Sequence, residues 1–279
     1  MTAPLRRLAE ADLDSACALS AAAGWNQTAE DWRIFLRFGQ AWGIEAGGRL
    51  AATVAVLPHG PAFASVAMVL TLPGHRRRGY ATTLLSHALA ALASTGHRAV
   101  LDATPLGQPI YARLGFAPFW TFRRWRLLAG GDPVAGVRPL EPDDWPGIVA
   151  LDGAASGMQR EGLLRAIAAR IPSLGRVAAP AGRIEGFALV RDGRLAPQIG
   201  PVIARDAACA QRLIAASVAS LPAGEAVVID LRDAWPGLLE WLAGRGAQPV
   251  RSFLRMAIGA DALPGESALI FAPIGPEFG

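Results

Sequence analysis

The sequence predicts a mixed α/β protein made of two tandem copies, each a mostly antiparallel sheet flanked by helices. Three observations carry this. Apolar runs with strand character follow one another from Trp42 to Leu72, then give way after Pro73 and Gly74 to helical spacing at Tyr80, Leu84, Leu85, Ala88, Leu89 and Leu92. A turn-rich segment, 129–136, separates two long patterned regions. The second region opens as the first does: Val137 to Leu140 followed by Glu141 and Asp143 echoes Pro4 to Leu8 followed by Glu10 and Asp12. The 279 residues suffice for two domains with a sizeable core.

Taken in order, Leu5 to Leu8 reads as a short strand and Asp12 to Ala23 as a helix that Gly24 stops. Thr28 with Asp31 resembles a capping box and opens a helix bearing Trp32, Phe35, Leu36 and Phe38. Residues 42–45 and 49–57 form a hairpin around Ala-Gly-Gly, 65–72 is a buried strand, and a long helix from Tyr80 ends at Gly96. Residues 98–103 form a strand, 109–114 a short helix and 118–128 a final strand. The second region repeats the order: strands at 186–190 and 195–203, a helix over 206–220, a strand at 226–231, a helix at 236–244 and a strand at 248–258. The expected domains are 1–130 and 136–279.

Apolar residues make up 52% of the chain and charged ones 18%, a globular composition. There is no lysine. All 27 basic residues are arginine, so a pI near 10 overstates a net charge of only +4. Residues 1–130 hold 13 Arg against 7 acids and residues 131–279 hold 14 against 16. With an acidic second half and no recognition motif, Arg76 to Arg78 and Arg123, Arg124 and Arg126 do not make a nucleic-acid binder. No apolar run approaches the roughly 18 residues of a membrane helix, and Arg6 and Arg7 lead into Glu10, Asp12 and Asp14 rather than the apolar core of a signal peptide. The expectation is a cytoplasmic protein with no membrane partner. Cys17 and Cys209 sit in Ala-rich helical segments without metal-ligand spacing, and read as buried thiols; no metal is expected.

The strongest local signal is Leu72-Pro-Gly-His-Arg-Arg-Arg-Gly-Tyr-Ala-Thr-Thr-Leu-Leu85, a strand end, a basic turn and a helix start. First-turn amides without partners and the helix dipole favour a phosphate there. Gly79 lets the backbone approach, Arg76, Arg77 and Arg78 add charge, and Ala81 is small. A solvated arginine run before an ordinary helix would look the same. Neither a Walker A loop nor a Gly-x-Gly-x-x-Gly fingerprint is present.

These residues resemble the GNAT superfamily of acyl-CoA-dependent N-acyltransferases, whose pyrophosphate loop reads Arg or Gln, two residues, Gly, one residue, Gly or Ala. Arg76, Gly79 and Ala81 fit it, after the strand Val69-Leu70-Thr71. Thirty residues on, Tyr111-Ala-Arg-Leu-Gly115-Phe116 fits the family's Tyr-x-x-x-Gly-Phe. The resemblance implies that the amides from Arg77 through Arg78, Gly79, Tyr80 and Ala81 to Thr82 hold the pyrophosphate of acetyl-CoA, and that Val69, Leu70 and Thr71 run along its pantetheine. It also implies that Tyr111 is the general acid in direct acetyl transfer to a primary amine of a small molecule. A ring packed under the Gly-Phe turn is the other reading of Tyr111. Thr104 stands where many members carry Asn, seven residues before the Tyr, and could bond the pantetheine or a water. Asp102 would deprotonate the amine or cap the following turn; His59 and His75 are weaker candidates, His75 as a surface residue.

By the same resemblance the acceptor pocket falls on the first two helices and their connection, where Trp25, Asn26 and Trp32 are candidates to touch the substrate, although half of these aromatics must be core. The second half is similar to the family but degenerate: Gly200 to Ala210 lacks the Arg-x-x-Gly-x-Ala spacing, Pro201 and Asp206 suit no pyrophosphate, and no Tyr follows. It would support the first domain, line the substrate cleft or mediate homodimerisation. A non-catalytic acyl-CoA sensor is the alternative to the enzyme.

Overall fold

The computed structural model describes residues 4–260 and 262–279. By packing, the chain forms two compact units. The first comprises residues up to Leu101 together with Gly193–Leu195 and Phe278; the second holds the rest.

In the first unit, β1 (Leu5–Arg7) leads to helices α1 (Leu13–Ala22) and α2 (Ala29–Phe38), then strands β2 (Gln40–Ala46), β3 (Arg49–Pro58) and β4 (Phe63–Thr71), helix α3 (Tyr80–Ser94) and strand β5 (Arg98–Ala103). The expected capping box forms: the Thr28 amide donates to Asp31 Oδ2 at 2.7 Å, closing the first turn of α2. Gly47 and Gly48, at φ +62° and +72°, make the two-residue turn between β2 and β3, where positive φ at both central positions matches the strand twist. The strands lie in the order β1-β2-β3-β4-β5, antiparallel except for the last pair. Leu84, Leu85, Ala88 and Leu92 bury one face of α3, and Phe35 stacks on Phe278 with centroids 5.4 Å apart.

The second unit contains the end of β5, α4 (Gln108–Arg113), β6 (Ala117–Leu128), β7 (Arg138–Pro139), α5 (Trp145–Ser156), α6 (Glu161–Ala168), β8 (Arg176–Ala178), β9 (Gly186–Arg191), β10 (Gln198–Ala204), α7 (Ala207–Ala219), β11 (Ala226–Arg232), α8 (Pro236–Gly244), β12 (Gln248–Ala257) and β13 (Ile270–Ala272). Its strands run β12-β6-β11-β10-β9-β8-β7, with β13 paired to β10. Packing therefore divides the chain at Leu101, ahead of the turn-rich segment. The reason is β6, which draws both of its antiparallel ladders from β11 and β12. The strand expected from residue 195 begins at Gln198, leaving Leu195 exposed in the preceding turn.

The duplication is visible in matched salt bridges. Arg6 Nη2 lies 2.6 Å from Asp12 Oδ1, and Arg138 Nη2 lies 2.7 Å from Asp144 Oδ1. Each acid also accepts the amide three residues before it, Ala9 or Glu141. The structural counterpart of Asp12 is thus Asp144 rather than Asp143. Among the described residues, no helix is long and apolar enough to cross a membrane.

Candidate active site

In the first unit a slot opens along β4. The parallel pairing with β5 covers only Phe63 to Ser65 against Arg98 to Val100. Beyond it, no strand among the described residues pairs with the β5-facing edge of β4, so backbone groups from Val66 to Thr71 stay open there. A bulge sharpens the divergence. The β3 register jumps between Thr53↔Leu70 and Ala55↔Ala67, Met68 takes φ +52°, and Thr53 Oγ1 donates to the Met68 carbonyl at 2.8 Å. Val69 and Thr71 are half-buried and Leu70 is buried. An extended, amide-bearing ligand could lie along this edge as another strand would.

At the end of β4, a single 3-10 turn over Pro73–His75 leads into exposed Arg76, Arg77 and Arg78. Gly79 then starts α3 at φ +79°, and a Cβ placed on it would meet nothing within 4 Å. Arg77 is also left-handed, at φ +61°. The first amide to find a partner at this end is Thr83 N, which donates to the Gly79 carbonyl at 3.0 Å. Those of Tyr80, Ala81 and Thr82 have no intrahelical acceptor and no side-chain cap. Free amides, the positive end of a 15-residue helix, three guanidiniums and a backbone open to approach make a cradle for a polyanion, and they fit a pyrophosphate. His75 is half-buried, its ring 6.3 Å from that of Tyr80.

In the second unit, Tyr111 stands on α4, half-buried, with its ring edge-on to Phe116 at 5.9 Å. Gly107 is tight against it: a Cβ there would fall 2.8 Å from the ring. Burial pushes the phenol up to about 12, so it remains a neutral O–H donor throughout the ordinary pH range. The ring therefore packs under the Gly-Phe turn and still carries a proton to give. Thr104 shapes the approach, its carbonyl accepting the amides of Gly107 at 2.8 Å and Gln108 at 3.1 Å.

Several expected site residues have other work. Asp102 neither caps the next turn nor points a free carboxylate at an acceptor. Its side chain is 1% exposed and makes a bidentate pair with Arg255, at 2.7 Å to Nε and 2.6 Å to Nη2. Desolvation raises its carboxyl above the usual range, opposed by Arg255. Asn26 is buried, and its Oδ1 accepts the Leu195 amide at 2.8 Å within the first unit. Trp32 is core, with Nε1 donating to Ser20 Oγ at 3.1 Å. Trp25 alone of the three keeps a half-exposed side chain. His59 is buried and bonded to Ser65 Oγ at 2.8 Å. Arg124, from the arginine run of β6, is tied to Asp230 by two bonds of 2.8 and 2.7 Å. Cys209 is buried and Cys17 half-buried; both are free thiols, and burial pushes both up. No local signal marks Arg255, whose partner is 153 residues away.

The second copy repeats the framework without the slot. There β10 pairs in parallel with β11 at Gln198 and Ile199, as β4 does with β5, but β13 then pairs with β10 at Val202 and Ile203. The chain fills its own second opening. At the start of α7, Asp206 Oδ1 accepts the Cys209 amide at 2.7 Å, placing a carboxylate where a phosphate would have to sit.

Comparison with known proteins bears on the family and the fold. Two sequence families, both described as "Acetyltransferase (GNAT) domain", match, one over residues 4–119 and the other over residues 148–272. A putative acetyltransferase from Pyrococcus horikoshii shares the fold at 19% identity and TM-score 0.84, covering 100% of this chain and 96% of its own. A tandem GNAT protein from the clavulanic acid biosynthesis pathway gives 17% and 0.65, over 93% and 99%. A GCN5-related N-acetyltransferase from Sphaerobacter thermophilus gives 17% and 0.64, over 94% and 96%. No curated protein matches the sequence. With two matching domains over one duplicated framework, the chain belongs to the GNAT acetyltransferases as a tandem-domain acyltransferase.

Proposed function

We propose that the protein is a cytoplasmic N-acetyltransferase that moves an acetyl group from acetyl-CoA directly to the primary amine of a small molecule, using one donor site per chain. The single observation that carries this is the open edge of β4 running into the uncapped, arginine-flanked start of α3, present in the first copy and closed in the second. Acetyl-CoA supplies an activated thioester and a thiolate leaving group. Arg76 to Arg78 and the amides from Arg77 to Thr82 hold its pyrophosphate, and the backbone of Val69 to Thr71 aligns its pantetheine, with Thr104 a further polar contact. The neutral amine attacks the thioester carbonyl; the C–N bond forms as the C–S bond breaks. Tyr111 gives its phenolic proton to the departing sulfur, and the proton released by the amine restores the phenol. Raised by burial, the phenol is fully protonated at neutral pH and so holds a proton when the sulfur leaves. No cysteine is assigned a nucleophilic part, since burial keeps both thiols protonated.

The test is calorimetric titration with acetyl-CoA, followed by thiol release over a panel of amines. One site per chain and CoA release with some amine are expected. Binding without turnover on any amine would make the protein a sensor, and no binding would overturn the reading.

A further inference from the structure

The helix that carries Tyr111 cannot set its own direction. α4 has six residues, and no residue from Thr104 to Gly115 is buried, so the segment anchors no side chain in a core. Leu106 at 84% and Ile110 at 36% exposure leave its outer side in water. Its internal bonds fix its shape alone: the Thr104 carbonyl takes the amides of Gly107 and Gln108, and the Tyr111 carbonyl takes those of Leu114 and Phe116 at 3.0 and 3.1 Å. Where the phenol stands is therefore settled by the two flanks of the segment, Asp102 and Ala103 before it and Phe116 to Trp120 after it.

Both flanks are gripped from β12 of the second copy, within the same packing unit. Arg255 is the residue that reaches both. Its Nε and Nη2 hold the Asp102 carboxylate at 2.7 and 2.6 Å; on the other side it stands opposite Trp120 in the β6 ladder, with Cζ 4.3 Å from the ring centroid. One rigid guanidinium thus closes the loop 102–120 at its base. The residues after it extend the grip: Met256 pairs with Pro118, Ala257 pairs with Ala117, and a Cβ on Gly115 would lie 3.4 Å from Ile258 Cδ1. The Arg255 and Asp102 side chains are 5% and 1% exposed, so water does not compete for the fork. A buried ion pair is seldom worth more to stability than an apolar pair of the same bulk; what it adds here is direction.

We propose that Arg255 is a positioning residue for acyl transfer: by clamping Asp102 and Trp120 it holds the Tyr111 phenol in its proton-giving position. The second copy, whose own slot is closed, then takes part in the reaction through this clamp. The inference rests on Tyr111 as the proton donor.

The experiment exchanges the pair for apolar residues, Asp102→Leu together with Arg255→Met in the full chain, which removes the fork without leaving a charge buried. The chain holds two tyrosines, so ring-¹³C-labelled tyrosine gives two NMR signals, with Tyr111 identified by Tyr111→Phe and Tyr80 serving as the reference. In the folded double variant the Tyr111 signal should move or broaden while that of Tyr80 stays. With an amine that the parent chain accepts, kcat should fall about tenfold or more, since a misplacement of about 1 Å can cost about a hundredfold, and the Kd of acetyl-CoA should change by less than about twofold. The same exchange at another buried pair of this unit, Asp152→Leu with Arg160→Met, removes two bonds of 2.9 Å and should leave the Tyr111 signal and kcat as they are. Arg255→Lys, which keeps the charge and loses the fork, should show the same changes in smaller measure and answers the question if the double variant does not fold. An unmoved Tyr111 signal in a folded variant refutes the clamp, and a fall in kcat beside it would return Asp102 to the part of a base. A moved signal with kcat unchanged refutes the positioning role as well. A moved signal in a protein whose parent form releases CoA with no amine sinks the transferase reading alone, and parent turnover with an unmoved signal sinks the clamp alone.

Discussion

Replacing Gly79 with alanine tests the donor site most sharply, because its two consequences can be separated. Gly79 sits at φ +79°, a conformation that costs an L-residue about 1–2 kcal/mol, and its Cβ would meet no protein atom within 4 Å. Packing therefore adds nothing, and strain alone should lower Tm by roughly 2–8 °C at the scale of ~2–4 °C per kcal/mol for chains of this size. Gly96, beyond the end of α3, is the matched control: φ +75° and again no atom within 4 Å. Gly96→Ala should cost the same stability. Only Gly79→Ala should also weaken acetyl-CoA, since its methyl group projects into the space where the pyrophosphate would approach the helix; about tenfold in Kd corresponds to ~1.4 kcal/mol. The assay is differential scanning calorimetry paired with titration calorimetry on both variants. Equal loss of stability with an unchanged Kd for Gly79→Ala would refute the placement of the pyrophosphate.

Four further outcomes follow from the same geometry. Tyr111→Phe should lower kcat by about 10²–10⁴ with little change in the Kd of acetyl-CoA; with the phenol at about 12, steady-state profiles of the parent enzyme should show no inflection from Tyr111 below pH 10. Asp102→Asn leaves Arg255 buried without its counter-charge and should cost ~3–5 kcal/mol in denaturant unfolding, whereas lost turnover with full stability would restore Asp102 as the base. Acetyl-CoA should bind once per chain, and Asp206→Ala should cost ~1 kcal/mol without creating a second site, because β13 still fills the opening; two sites in either protein would contradict this. Asp12 and Asp144 are held below the usual carboxylate range, foremost by hydrogen bonds from Arg6 and Arg138, so their contribution is present above that range and is lost as pH falls through their lowered values. Acid unfolding of Asp12→Asn and Asp144→Asn should accordingly be shallower than that of the parent chain.

Much of the framework was legible in the residues because it is local. The capping box at Thr28 and Asp31, the Gly-Gly hairpin, the arginine turn before α3 and the Tyr-x-x-x-Gly-Phe segment each depend on neighbours within a few positions, where backbone preference and side-chain reach decide the outcome. The mismatch of the second copy was also readable, since Asp206 stands directly at the helix start.

The rest came from pairings between distant residues. Their place next to the family's motifs and expected acceptor pocket made Asp102 a candidate base and Asn26 a candidate substrate ligand, but their partners, Arg255 and Leu195, lie more than 150 residues away. Three-residue β13 has no periodicity to detect, yet it closes the second slot by pairing with β10. The packing boundary at Leu101 could not be found from turn residues, because a strand belongs to whichever neighbours complete its hydrogen bonds, and β6 finds both of its own in β11 and β12. Local signals carried most of the elements, the duplication and the two family motifs; long-range pairing decided which polar groups were consumed in holding the fold and which remained free for chemistry.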